Sequence, residues 1–338
     1  MSQSQNQSQN VVITGIGAVS PLGLDAPTTW AELLKGHSGV DFIKCFDPEG
    51  FETRFAAEVD GFDPEDYLDR KDARRMDRFA QFAVVAAQEA CKQAGFDPKA
   101  MDQYRTGVIV GSGVGGVITL TEQQEVLHAR GPRRVTPFLI PMMLGDMASA
   151  QVSMATGAMG VNFCVVSSCS SGADALGQGW EMIQRDQADV VLAGGSEAPI
   201  FPVAVAGFNA MRALSRFNEN PKKASRPFDL QRDGFVIGEG AAVLVLESSA
   251  SVKRRGVSPM AELRGYAATS DAYHLTEPSP TAESAAEAMK MALLSAAIDP
   301  SEVDYINGST EAVMLGQSSR VGTRASSIFF NSRVVERN

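Results

Sequence analysis

Between Val161 and Pro199 the chain reads VNFCVVSSCSSGADALGQGWEMIQRDQADVVLAGGSEAP. This stretch constrains the fold more than any other, because its hydrophobic period changes twice. VNFCVV is short, apolar and rich in β-branched residues, the pattern of a strand buried on both faces. Small polar residues from Ser167 to Ser171 then break the run and favour a helix start. The apolar residues Ala173, Leu176, Trp180 and Ile183 follow at helical spacing. DVVLAGG (Asp189–Gly195) returns as a strand, with two glycines that permit a sharp turn. A strand, a turn, a helix and a strand in that order form the unit of an α/β protein.

Cys169 falls where the strand hands over to the helix. A helix start carries partial positive charge and unpaired N–H groups, which favour thiolate over thiol. The same groups can stabilise an oxyanion formed when a carbonyl is attacked. One reading is therefore the nucleophile of an acyl-transfer enzyme. The other is a small buried residue at a crowded turn. Position alone leaves both open.

The rest of the chain alternates in the same way. VVITGIGAVSPLG (Val11–Gly23) reads as a strand running into a turn, and Thr28–Leu34 as a helix. Phe42 to Phe62 is an irregular excursion. Asp69–Phe96 has the pattern of one long helix, charged first and Ala-rich later, ending at Gly95. Thr106–Val110 is a buried strand leading into GSGVGG. Thr136 to Gly160 is rich in Met, Ala, Ser and Gly, and reads as core or adaptable apolar surface. Ala213–Glu247 is a polar loop feeding a strand, and a helix follows around Ser248–Arg255. The chain then restarts with a strand in AELRGYAATSD, an amphipathic helix at Thr281–Ala297 and a strand at VDYIN (Val303–Asn307). This predicts a mainly parallel sheet covered by helices. Strands near Val11, Val108, Phe163 and Val190 would make the first sheet, and the restart near Ala261 a second unit of similar design.

Gly111, Gly113 and Gly116 satisfy G-x-G-x-x-G after a strand. Dinucleotide binding wants an acidic residue about 20 positions on. That region here is ARGPRRVTP, which is basic, and a tight turn beside a substrate cleft explains the glycines equally well. The net charge of −10 argues against general nucleic-acid binding. No apolar run reaches the length of a membrane span. Cys45, Cys91, Cys164 and Cys169 contain no C-x-x-C pair. With only His37, His128 and His274 beside them, no metal-ligand cluster is expected, and the thiols read as reduced and cytoplasmic. MSQSQNQSQN (1–10) lacks the features of a signal peptide and reads as a disordered tail.

Several segments resemble the β-ketoacyl-[acyl carrier protein] synthase family of the elongating, type II class, in the thiolase-like superfamily. They are VVITGIGAVSPLG, RKDARRMDRFAQFA, GSGVGG, GPRRVTPF, SSCSSGADALG, DVVLAGGSEAP, SRPFDLQRDGFVIGEGAAVLVLE and SDAYHLTEPSP, spread in order over residues 11–307. The resemblance implies an α/β, thiolase-like αβαβα layered sandwich that works as a homodimer. It divides the chain into an N-terminal half (11–255), the start of a C-terminal half (256–307) and an atypical tail (308–338), leaving the second half incomplete. It also implies an acyl group passed from acyl carrier protein to Cys169, then condensed with malonyl-carrier protein to lengthen the chain by two carbons. Val114, Phe208 and Phe235 match positions lining the acyl pocket or cleft. Lys71, Arg74, Arg75, Arg133, Arg134 and Arg212 would form a basic rim that steers the acidic carrier. No cofactor is expected, since phosphopantetheine arrives on the carrier protein.

One departure stands out. The family places a histidine in N-A-H-G-T-S-T after the strand that here reads VDYIN. This chain continues Gly308-Ser309-Thr310, so Ser309 takes that position, and no histidine follows His274. His274 itself matches a position outside the catalytic triad. The 308–338 segment departs from the family pattern and lacks its second histidine and Gly-rich loop. Two functions follow: a fatty-acid-elongating synthase with impaired condensation, or a non-condensing remnant that binds acyl chains or partners an intact synthase. A shifted frame, a truncation or a sequence error would each produce the change.

Overall fold

The computed structural model describes residues 9–274 and 278–306, together with the backbone of 324–331. Most of the 1–10 tail, Ser309 and the rest of 308–338 apart from the 324–331 backbone lie outside the described residues. The sheet strands are β1 (Val11–Val19), β2 (Thr106–Gly111), β3 (Asn162–Phe163), β4 (Val190–Glu197), β5 (Gly240–Ser248), β6 (Ala261–Ser270) and β7 (Arg324–Asn331). The longer helices are α1 (Ala26–Leu34), α2 (Arg78–Gln93), α3 (Val117–Arg130), α4 (Met147–Thr156), α5 (Ser171–Gln184), α6 (Pro202–Ala210), α7 (Ser249–Arg255) and α8 (Glu283–Ala296). The strands join in the order β3-β2-β4-β5-β1-β6-β7.

The sheet is mixed, not mainly parallel as the alternation suggested. Only β3, β2 and β4 run side by side in parallel. Glu197 at the end of β4 pairs with Gly240 at the start of β5, so the long connection stays at one end of the sheet. A chain that returns from the same end must pair antiparallel, and β5 does so with both β4 and β1. Nor does the restart near Ala261 open a separate sheet among the described residues. Leu263, Glu262 and Ala261 of β6 pair with Val11, Val12 and Ile13 of β1. The backbone of β7 then pairs along β6 from Glu262 to Ser270.

Side chains alternate across the strands and divide the core in two. Val108, Val110, Val190, Leu192, Val243 and Val245 pack on α2. Ile109, Val191, Ala193 and Leu246 face the other way, against Ala175 and Ile183 of α5. Glycine sets how closely the first helix can lie. A Cβ on Gly17 of β1 would overlap the carbonyl of Ala86 in α2.

Three expected elements come out differently. Asp69–Phe96 is not one helix: Arg70–Ala73 forms one short turn, and α2 begins afresh at Arg78. Buried Asp77 forces the break, because it sits at extended backbone angles and its carboxylate accepts the Phe79 N–H at 3.4 Å and the Thr119 hydroxyl at 2.6 Å. Gly95 ends α2 at φ +54°, as expected. VNFCVV forms ladder pairs only at Asn162 and Phe163, since β3 is an edge strand with β2 on one side; Asn162 and Val166 are exposed. Val303–Ile306 is not a strand, because β1 and β7 already occupy both edges of β6.

Candidate active site

The sheet presents Cys169 through backbone contacts that only small residues allow. Gly111, the last residue of β2, touches the carbonyl of Ser171, and a Cβ there would overlap it. Gly195 of β4 lies against Gly172 of α5. The start of α5 therefore sits directly on two strand ends. Just before it, Ser168–Ser170 makes a single tight turn, with Ser168 at φ +56°. That is left-handed backbone, costly for a residue with a Cβ and maintained only by its surroundings. Ser171 supplies them: its hydroxyl donates to the Ser168 carbonyl at 2.7 Å and accepts the Ser167 N–H at 3.0 Å.

Cys169 stands on this turn, exposed to solvent. No side-chain capping bond closes the start of α5 among the described residues. Among the other three thiols, Cys91 is buried, Cys164 half-buried, and Cys45 exposed as a residue with its sulfur donating to the Ile200 carbonyl at 3.4 Å; local desolvation acts on all three. It pushes Cys45 and Cys91 up to about 12 and raises Cys164 as well, so all three are held protonated. A thiol at a helix start has N–H groups nearby that favour a thiolate.

GSGVGG adjoins this turn. Glu197, at the end of β4, points its carboxylate into the glycine turn and accepts from Ser112 Oγ at 2.9 Å, Gly113 N–H at 2.6 Å and Val114 N–H at 3.1 Å. The amides that would cradle a phosphate are thus engaged by an internal carboxylate. Burial pushes that carboxyl above the usual range, and the donors pull it partly back. A Cβ on Gly113 would lie 3.1 Å from Glu197 Oε2 and 3.7 Å from Ser168 Cα, so the glycine turn fits between Glu197 and the cysteine turn.

Phe208 of α6 and Phe235 meet edge to face at 5.3 Å, within a cluster containing Phe46, Phe51, Ile200 and Leu214. Val114 lies outside that cluster, on the glycine turn, with 45% of its surface exposed. Lys71, Arg74 and Arg75 line an open groove with Asp69, Arg70 and Phe138, and the Arg75 guanidinium lies 4.8 Å over the Phe138 ring. Arg133 and Arg134 are exposed on the Pro132–Arg134 turn that precedes Phe138. Arg212 stands apart from the groove, exposed after α6 at φ +55°. Among the described residues none of these six expected carrier contacts is in an ion pair. His274 lies beyond β6, near Tyr273. No group of three or more potential metal ligands occurs among the described residues, and no described helix is long and apolar enough to cross a membrane.

Sequence reasoning missed Glu197 and Ser171. The signal for Glu197 was a lone acid closing an apolar strand, whose charge must find donors once buried. Ser171 looked like one more small residue at a helix start.

Comparison with known proteins agrees with this arrangement. The model of the β-ketoacyl synthase N-terminal domain matches residues 8–251, and that of the C-terminal domain matches 260–321. A 3-oxoacyl-[acyl-carrier-protein] synthase 2 from Staphylococcus aureus (strain COL) is 46% identical over 316 residues, 94% of this chain and 76% of that protein. The protein of that name from Synechocystis is 42% identical over 301 residues, 89% and 72%. Two solved structures share the thiolase-like α/β fold. One is a type II polyketide acyl-carrier protein in complex with its ketosynthase bound to the hexaketide, with TM-score 0.80, 33% identity, and 92% of this chain and 76% of that one covered. The other is a β-ketoacyl synthase from Burkholderia phymatum STM815, with TM-score 0.82, 34% identity, and 89% and 74% covered. The chain belongs to the β-ketoacyl synthase family.

Proposed function

We propose that this chain is a 3-oxoacyl-[acyl carrier protein] synthase of fatty-acid elongation, with Cys169 as its nucleophile. The observation that carries the assignment is the exposed thiol on a strained turn, backed by glycine and fixed by Ser171. In the first step the Cys169 thiolate attacks the carbonyl of an acyl thioester. A C–S bond forms to Cys169, the bond to the phosphopantetheine thiol breaks, and that thiol leaves with a proton. The N–H groups at the start of α5 face the developing oxyanion. In the second step a malonyl thioester loses CO2, and its enolate carbon attacks the acyl-cysteine and returns Cys169 as thiolate.

Phe208 and Phe235 form one wall for the acyl chain, and Val114 stands on the neighbouring glycine turn. The groove of Lys71, Arg74 and Arg75, continued by Arg133 and Arg134, receives the acidic carrier, and Arg212 adds charge outside it. Its unpaired cations support this role, since they attract a partner without first breaking internal bonds. The working unit is a cytoplasmic homodimer. The outer edge of β3, which no strand among the described residues pairs, has Val166 exposed 65% and suits a second copy. The protein carries no cofactor of its own.

Ser309 favours a second reading of the second step. A hydroxyl donates one hydrogen bond but cannot replace an imidazole in stabilising the enolate. On this reading Cys169 is loaded but condensation is slow, as for an acyl-binding partner subunit. Mass spectrometry of the Cys169 peptide after incubation with acyl-carrier protein, then with malonyl-carrier protein, tests both. Loading that disappears in Cys169→Ser supports the assignment, and an unmodified wild-type peptide overturns it. Loading without a two-carbon-longer product selects the second reading.

A further inference from the structure

We propose that Glu197 is a positioning residue that sets acyl-chain selectivity by fixing Val114 beside the nucleophile. The inference rests on the acyl-transfer reading above. Glu197 comes from the sheet, whereas Gly113 and Val114 are the exposed middle of a turn whose flanking residues Gly111, Ser112, Gly115 and Gly116 are buried. One carboxylate oxygen accepts both the Gly113 and Val114 N–H groups. The other accepts the Ser112 hydroxyl, which in turn accepts the Gly115 N–H at 3.0 Å. Four consecutive residues are thereby tied to one side chain. The turn they form abuts the residue before the nucleophile, because Gly113 fits between Glu197 and Ser168.

Charge-assisted bonds of this kind are the stronger class of hydrogen bond. Removing the acceptor takes that partner from the Gly113 and Val114 N–H groups and the Ser112 hydroxyl, and the glycine backbone will then relax towards water. The Val114 side chain moves with it. The space offered to an acyl chain changes, while the Cys169 turn keeps its own support from Ser171.

Glu197→Gln and Glu197→Ala separate the carboxylate from a merely space-filling role. A glutamine can turn its oxygen to the Gly113 and Val114 amides and donate its NH2 to Ser112 Oγ, so it preserves the tether. Alanine cannot. Ser112→Ala supplies a milder variant if Glu197→Ala folds poorly. The full chain is offered a mixture of short and long acyl-carrier proteins, and loading on Cys169 is read by mass spectrometry. Amide exchange of the 111–116 segment is followed in parallel. Glu197→Ala is expected to change the long-to-short loading ratio about tenfold and to speed exchange of the turn by a similar factor, the scale of one lost charged hydrogen bond. Glu197→Gln should stay close to wild type in both. An unchanged ratio in Glu197→Ala, or the same change in Glu197→Gln, overturns the proposal. Wild-type protein that loads no chain at all defeats the acyl-transfer reading and the selectivity with it. Loading with an unmoved ratio defeats the Glu197 proposal alone.

Discussion

Helices α2 and α5 pack on opposite faces of the same strands, yet they are held by different physics. Helix α2 buries Phe79, Phe82, Val84, Val85 and a row of alanines, so burial of apolar surface dominates its placement, beside the close approach of Gly15 and Gly17. Helix α5 buries Ser171, Asp174, Gly177 and Gly179 alongside Ala175 and Ile183. Beside its apolar contacts with the sheet, backbone approach and hydrogen bonds fix its position. The Tyr266 hydroxyl of β6 donates to Asp174 at 2.6 Å, and the Tyr266 ring lies against Gly177. Apolar packing tolerates small adjustments, whereas hydrogen bonds define a direction. The structure thus puts the adjustable interface behind the sheet and the directional one under the nucleophile. Substitutions on the α2 side should cost stability before activity, and those around α5 the reverse.

The largest stability effect is expected at Arg255. Its guanidinium pairs with Glu247 at 2.6 Å and also donates to the carbonyls of Ala94 and Gly95 at the end of α2. Glu247 is fully buried and is further bonded to Ser251 and Thr14. Arg255→Ala strands that charge and should cost about 3–5 kcal/mol in denaturant unfolding. Adding Glu247→Gln should recover part of the loss, because no buried charge is then left alone. Loading of Cys169 in the folded fraction should stay near wild type. A large loss of loading at full stability would break the division between the two helices.

Ser171→Ala tests the other side. It removes the donor to Ser168 and the acceptor of Ser167 while leaving the sheet untouched. Acyl loading should fall about tenfold, as misplacement of a reacting group predicts, with a stability loss near 1 kcal/mol. Alkylation of Cys169 by iodoacetamide, which needs little orientation, should change much less. Equal loss in both reactions would mean that Ser171 controls access to the thiol and not its orientation.

These bonds also mark the boundary of what was legible in the sequence. Apolar runs such as Val190–Ala193 announced their strands, and Gly95 announced the end of α2, because each signal is local. The handover at Cys169 was readable for the same reason. The break at Asp77 was not, since Thr119, the partner that holds it, is 42 residues away. The caging of the glycine turn by Glu197 spans 84 residues. Strand direction escaped too: the run at Gly240–Ser248 reads the same whether its neighbours run with it or against it. Likewise, Val161–Val166 carries the composition of a central strand, but an edge position is decided by which strands exist elsewhere.

The smallest effect belongs to Asp77, and its sign is informative. Burial raises its carboxyl above the ordinary Asp range, while the Thr119 hydroxyl and N–H and the Phe79 N–H draw it back only in part. The folded protein therefore holds this proton more tightly than the unfolded chain does. Stability contributed at this site is greatest below the ordinary Asp range and declines as pH rises through the higher folded-state value. Glu122 follows the same direction, raised first by its own burial and then by the Asp77 charge. Asparagine can still offer its oxygen to Thr119 and lose only the long bond to Phe79, so Asp77→Asn should cost no more than about 1 kcal/mol at low pH. With rising pH the wild type should lose ground to the variant, which has no charge to bury there and relieves Glu122 as well. Urea unfolding of both proteins across the acidic range reads the difference directly. A wild-type advantage that grows with pH would mean that the donors outweigh burial, and that the start of α2, like that of α5, is set by directed bonds.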